Sequence, residues 1–121
     1  NKSIPYAIDR KSDDLSLQEI VKAGIDFFSK DLSKGFFFMV EGGEIDWACH
    51  SNDAATVFRE VIDMDNAIKE AYEFYQKHPD ETLIVVTADH ETGGITLGIK
   101  GKSELNLKAL ASQKMSEKVN Q

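Results

Sequence analysis

With 121 residues the chain has room for one small domain with a modest core and too few for two. A composition of 41% hydrophobic and 29% charged residues excludes a disordered chain, and a net charge of −7 (14 Lys and Arg against 21 Asp and Glu) speaks against a nucleic-acid partner, which requires a basic face. No stretch approaches the ~18 consecutive apolar residues of a membrane span, and a single cysteine, Cys49, excludes an internal disulfide framework.

The leading segment, Asn1 to Asp14, holds one proline and a cluster of charges and reads as extended. It has no apolar signal region and no initial Met, as expected of a chain that was processed or cut from something larger. Ser16-Leu17-Gln18-Glu19 fits a capping box. Leu17, Ile20, Val21, Gly24, Ile25, Phe28 and Leu32 then recur at three- and four-residue spacing, which predicts an amphipathic helix at about 17–31. Gly35 hands over to Phe36-Phe-Phe-Met-Val40, an apolar run of strand length that predicts a short strand at about 36–40, buried on both faces.

Ser51, Asn52 and Asp53 are good N-caps ahead of a second apolar stripe, from Ala54 through Val57, Phe58, Val61, Ala67, Ile68 and Ala71 to Tyr75. This predicts a long helix at about 53–77, with a bend where the stripe shifts at Asp63-Met64-Asp65 and a stop at Lys77-His78-Pro79. Asp63 and Asp65 lack the glycine and distal glutamate of a calcium loop and are expected on a solvated helix face; His78 is expected to be structural. Thr82 to Thr87 is a β-branched apolar run that predicts a second buried strand at about 83–88, and Ile95 to Ile99 a shorter third. Leu105, Leu107, Leu110 and Met115 suggest an amphipathic helix that needs a partner.

The order is helix, strand, helix, strand, an α/β arrangement in one domain spanning 1–121. If the two buried strands are parallel, both end in charge on the same side of the sheet, where ligands bind in such folds. Glu41, Asp46, His50, Asp89 and His90 would then converge. Asp46 and His50 are four apart, so one helical turn puts both on one face, whereas the adjacent Asp89 and His90 need irregular backbone to reach one ion. Asp with neutral His suits zinc or a similar divalent ion, and carboxylates alone suit magnesium. Taken singly, each of these residues also has an ordinary structural role in a turn or cap. Cys49, with no second cysteine nearby, reads as a small packed thiol.

Val40-Glu-Gly-Gly-Glu-Ile-Asp-Trp-Ala-Cys-His50 and Thr87-Ala-Asp-His-Glu-Thr-Gly-Gly94 together resemble the metal-binding motifs of alkaline phosphatases, in the same order. The similarity extends from about Ile4 to Gly98 and, less specifically, to Gln113-Lys-Met-Ser116. It implies a fragment of a three-layer α/β/α sandwich from an enzyme with two Zn2+ and one Mg2+. In that reading Glu41 ligates magnesium, Asp46 and His50 one zinc, and Asp89 and His90 the other. Trp47 stands near the phosphate side, as a packed aromatic or a modulator of substrate binding. The implied reaction is phosphate monoester hydrolysis through a serine nucleophile.

Departures from the family pattern matter equally. No Asp-Ser-Ala type nucleophile occurs, Arg10 and Arg59 lie outside any phosphate-binding context, and further metal ligands are lacking. The resemblance therefore implies an internal or C-terminal-half fragment that is inactive alone, from a periplasmic or secreted parent. Unpaired strand edges make homo-oligomers expected. Two alternatives stand beside this reading: another hydrolase or phosphomutase of the same superfamily, and a non-catalytic metal-binding or interaction module.

Overall fold

The computed structural model describes residues 4–95 and 106–119. Among the described residues there are four α-helices: α1 (Leu17–Phe28), α2 (Gly43–His50), α3 (Ala54–Lys77) and α4 (Leu107–Ala111). α1 starts where the capping box places it: the Glu19 N–H donates to Ser16 Oγ at 3.1 Å and the Ser16 N–H donates to Glu19 Oε2 at 2.8 Å. It ends earlier than the apolar spacing predicts. A 3-10 stretch, Ser29–Lys34, follows, broken at Asp31 (φ −137°, ψ 86°), whose carboxylate caps Ser33. α3 runs as one helix from its Asp53 cap to Lys77, with no break at 63–65. His78 closes it, its N–H donating to the Tyr75 carbonyl and its ring 4.7 Å from that of Phe74.

α3 is the spine on which α1 and α2 pack. The core lies between the leading segment, α2 and the start of α3: Tyr6, Ala48, Cys49 and Val57 are buried, with Ile8 and Ile45 against them. Polar ties reinforce it. Arg10 makes a two-pronged ion pair with Asp63, at 3.0 Å and 2.7 Å, and Asp63 also accepts from the Leu17 N–H. The expected solvated face at Asp63 is thus corrected: Asp63 is buried because Arg10, far away in sequence, neutralises it, while Asp65 is exposed.

The predicted strands at 36–40 and 83–88 find no ladder partners among the described residues, and neither is buried on both faces. Neither is helical, and the first packs on one side only. Phe36 and Phe38 stack around Phe28, each with ring centroids 5.5 Å from it, and Phe36 meets Phe74 of α3. Gly24 on α1 makes room, since a Cβ there would lie 2.5 Å from the Phe38 ring. Phe37 and Met39, pointing the other way, are 86% and 74% exposed. The second run leaves Leu83, Val85 and Val86 exposed. A strand buried on both faces needs a neighbour on each edge and a layer on each face; here α1 and α3 supply one layer. The third predicted strand falls, beyond Ile95, outside the described residues.

The C-terminal segment is held by polar contacts rather than by a long helix. Asp53 caps α3 by accepting from the Thr56 N–H at 3.2 Å and hydroxyl at 2.7 Å, and it also accepts from the Gln113 amide at 2.7 Å and the Glu117 N–H at 2.8 Å. Ser116, 1% exposed, donates its N–H and hydroxyl to Asp9. Beyond Asn106 the chain therefore contributes one short helix and a hydrogen-bonded clasp, not the extended amphipathic helix its leucines suggest.

Candidate metal centre

Gly42 and Gly43 open α2 directly after the Phe36–Val40 run, so Asp46 and His50 come one turn apart on a helix that is anchored through Ala48 and Cys49. Asp46 Oδ2 and His50 Nε2 lie 3.4 Å apart. Trp47, 64% exposed, carries its indole 6.3 Å from the His50 ring. Cys49 is buried, and burial pushes its thiol pKa up, which suits packing and not nucleophilic attack.

Asp89 and His90 stand on irregular backbone after the second apolar run, with His90 Nε2 3.2 Å from Asp89 Oδ2. His90 Nδ1 lies 2.9 Å from the Glu91 carbonyl oxygen. A carbonyl only accepts, so Nδ1 carries a proton, and Nε2, against the Asp89 carboxylate at 3.2 Å, is the ring nitrogen that would face an ion. The Glu91 carbonyl, then the Asp89 charge, raise the His90 pKa.

The two pairs are brought together by Thr92, which sequence reasoning quoted within its motif but gave no role. Its hydroxyl donates to Asp46 Oδ1 at 2.7 Å and lies 3.1 Å from His90 Nδ1. Beside it, Gly93 adopts φ +76° and lies so close to α2 that a Cβ would come within 2.3 Å of the Cys49 carbonyl oxygen. The signal was a small hydroxyl residue followed by two glycines directly after Asp89-His90-Glu91, a turn able to press flat on a neighbouring helix.

Glu41 stands apart. It lines a cavity of about 180 Å³ with Ile4, Gly42, Glu44, Glu60 and Asp63, and none of the other four predicted ligands faces that cavity. Burial raises the Glu60 pKa, and the Ala7 N–H donating at 2.6 Å opposes the shift. Among the described residues, no three His, Cys, Asp or Glu side chains gather tightly enough to hold an ion by themselves. Each Asp–His pair nonetheless offers one carboxylate and one imidazole in contact, the donor chemistry that zinc takes, and Glu41 offers the oxygen that magnesium takes. The residues fit these ions as parts of ligand sets.

Comparison with known proteins agrees with the motifs. The family model described as alkaline phosphatase matches residues 1–120. Alkaline phosphatase 4 of Bacillus subtilis is 43% identical over 108 residues, covering 89% of this chain and 23% of that protein. Repressible alkaline phosphatase of Saccharomyces cerevisiae is 43% identical over 101 residues, covering 78% of this chain and 18% of that protein. The crystal structure of a cold-active alkaline phosphatase from the psychrophile Shewanella sp. superposes with a TM-score of 0.83 at 39% identity, over 93% of this chain and 27% of that one. The chain spans about a quarter or less of the length of these relatives. With the family model matched along almost its whole length, the chain belongs to the alkaline phosphatase family.

Proposed function

We propose that this chain supplies one part of the bimetallic centre of a phosphate monoester hydrolase. Asp46 and His50 hold one zinc ion, Asp89 and His90 a second, and Glu41 a magnesium ion. Bound there, such ions supply positive charge to the phosphoryl oxygens and activation of the attacking oxygen. The chain's own share is to orient donors. α2 holds Asp46 and His50 one turn apart, the Glu91 carbonyl sets the His90 tautomer, and Thr92 holds the two loops in register. The observation that carries this reading is the contact of the two Asp–His pairs through a single threonine hydroxyl.

In this reading the serine nucleophile and the remaining ligands come from sequence outside the 121 residues, and the apolar runs 36–40 and 83–88 are strands of a three-layer α/β/α sandwich whose partners lie there too. The 121-residue chain alone is then inactive. Assayed with an aryl phosphate and zinc and magnesium, it is expected to show no turnover above buffer; turnover that Asp46→Asn abolishes would contradict a partial site. The exposed Phe37, Met39, Leu83 and Val85 favour self-association of the chain, to be read by sedimentation, where a monodisperse monomer would contradict it. Among the described residues no helix is long and apolar enough to cross a membrane. A periplasmic or secreted location follows from family resemblance, and fractionation of the source cells tests it.

A further inference from the structure

Thr92 ligates nothing in the proposed centre, yet it touches both of its halves. A hydroxyl has one proton; committed to Asp46 Oδ1 at 2.7 Å, it leaves the oxygen's lone pairs for His90 Nδ1 at 3.1 Å. His90 must then donate from Nδ1, the same tautomer the Glu91 carbonyl demands at 2.9 Å. The single Nδ1 proton is then shared between the Glu91 carbonyl at 2.9 Å and the Thr92 oxygen at 3.1 Å, while the Thr92 hydroxyl donates to Asp46 Oδ1. Gly93 adds a steric component, because its backbone sits on the Cys49 carbonyl at the last turn of α2 where no side chain fits. One hydrogen-bonded side chain and one missing side chain together dock the second motif on the first.

We propose that Thr92 is a positioning residue that latches the Asp89–His90 loop to α2, making the two Asp–His pairs one coupled metal-binding unit. This rests on the metal reading of those pairs. Outer-shell partners of metal ligands typically change affinity 10- to 100-fold when removed. Here the effect would extend to both pairs, since Thr92 donates to Asp46 of one and lies 3.1 Å from His90 of the other.

The test compares Thr92→Val, which keeps the shape and removes the hydroxyl, with Thr92→Ser, which keeps the hydroxyl, in the isotope-labelled chain. Without metal, Thr92→Val is expected to shift the amide resonances of Asp46 and His50 on α2, and Thr92→Ser to leave them in place. Shifts confined to residues 89–94 in both variants would overturn the latch. Zn2+ is then titrated and read on the His50 and His90 ring resonances. Both respond over one zinc range in the parent chain; in Thr92→Val the midpoints weaken and separate by roughly 10-fold, and Thr92→Ser restores them. Unchanged, coincident midpoints in Thr92→Val would overturn the coupling. Zinc that perturbs neither histidine in the parent chain would overturn the metal reading and the coupled unit with it, while the metal-free comparison still decides the latch.

Discussion

The helical side of the molecule and its two apolar runs are built on opposite principles. On the helical side, the buried charged and polar side chains are tied at close range: Arg10 to Asp63 through its two terminal nitrogens, Glu60 to the Ala7 N–H, Ser116 to Asp9 and Asp53 to four donors. Runs 36–40 and 83–88 are the reverse, apolar in composition yet exposed along Phe37, Met39, Leu83 and Val85. The two motifs sit where these regions meet, Glu41 and α2 directly after the first run and Asp89-His90 directly after the second. The helical side fixes half of each motif's surroundings, and the runs direct the chain into it.

The largest effect distinguishing the two regions is expected at Arg10. Replacing it with Ala leaves the Asp63 charge buried and unpaired, which typically costs about 3 kcal/mol. Urea unfolding is expected to show that loss, whereas Phe37→Ser, on the outward face of the first run, shifts the midpoint by less than about 0.5 kcal/mol. Equal losses for the two variants would erase the distinction.

A smaller, local effect is expected at Asp53. Burial works to raise its pKa, but the Glu117 N–H, the Thr56 hydroxyl, the Gln113 amide and the Thr56 N–H together hold it below the ordinary aspartate value. A carboxylate with a depressed folded-state pKa contributes stability that is full above the unfolded value of about 3.9 and is lost as pH falls through the folded value. Acidification through that window is expected to release segment 113–117 before α1 and α3 separate, seen as hydrogen exchange at the Glu117 amide. Asp53→Ala is expected to lower stability by about 1–2 kcal/mol and to produce the same release at neutral pH. Protection at Glu117 that survives both changes would show that the clasp does not depend on Asp53.

The helices were legible in the sequence because their signals are local. Ser16 and Glu19 cap each other within one turn, Asp53 caps α3, and the four-residue spacing of Asp46 and His50 becomes a shared helix face. What escaped depends on partners distant in sequence. The Arg10–Asp63 pair joins residues 53 apart, Thr92 and Asp46 are 46 apart, and Ser116 and Asp9 are 107 apart. Composition cannot reveal such pairs, so Asp63 is expected on a solvated face and Thr92 receives no role. The apolar runs read as strands, but their pairing and burial depend on neighbouring strands and a second layer, which local pattern does not report. The five predicted ligands divide in the same way: Thr92 touches Asp46 of one Asp–His pair and His90 of the other, and Glu41 faces a separate cavity.

The most direct test of the central claim is X-ray absorption at the zinc edge of the chain loaded with Zn2+. The account predicts imidazole and carboxylate donors at about 2.0–2.2 Å, a pattern lost when Asp46, His50, Asp89 and His90 are replaced together by Asn and Gln. A zinc spectrum that is the same in the parent and the substituted chain would contradict it.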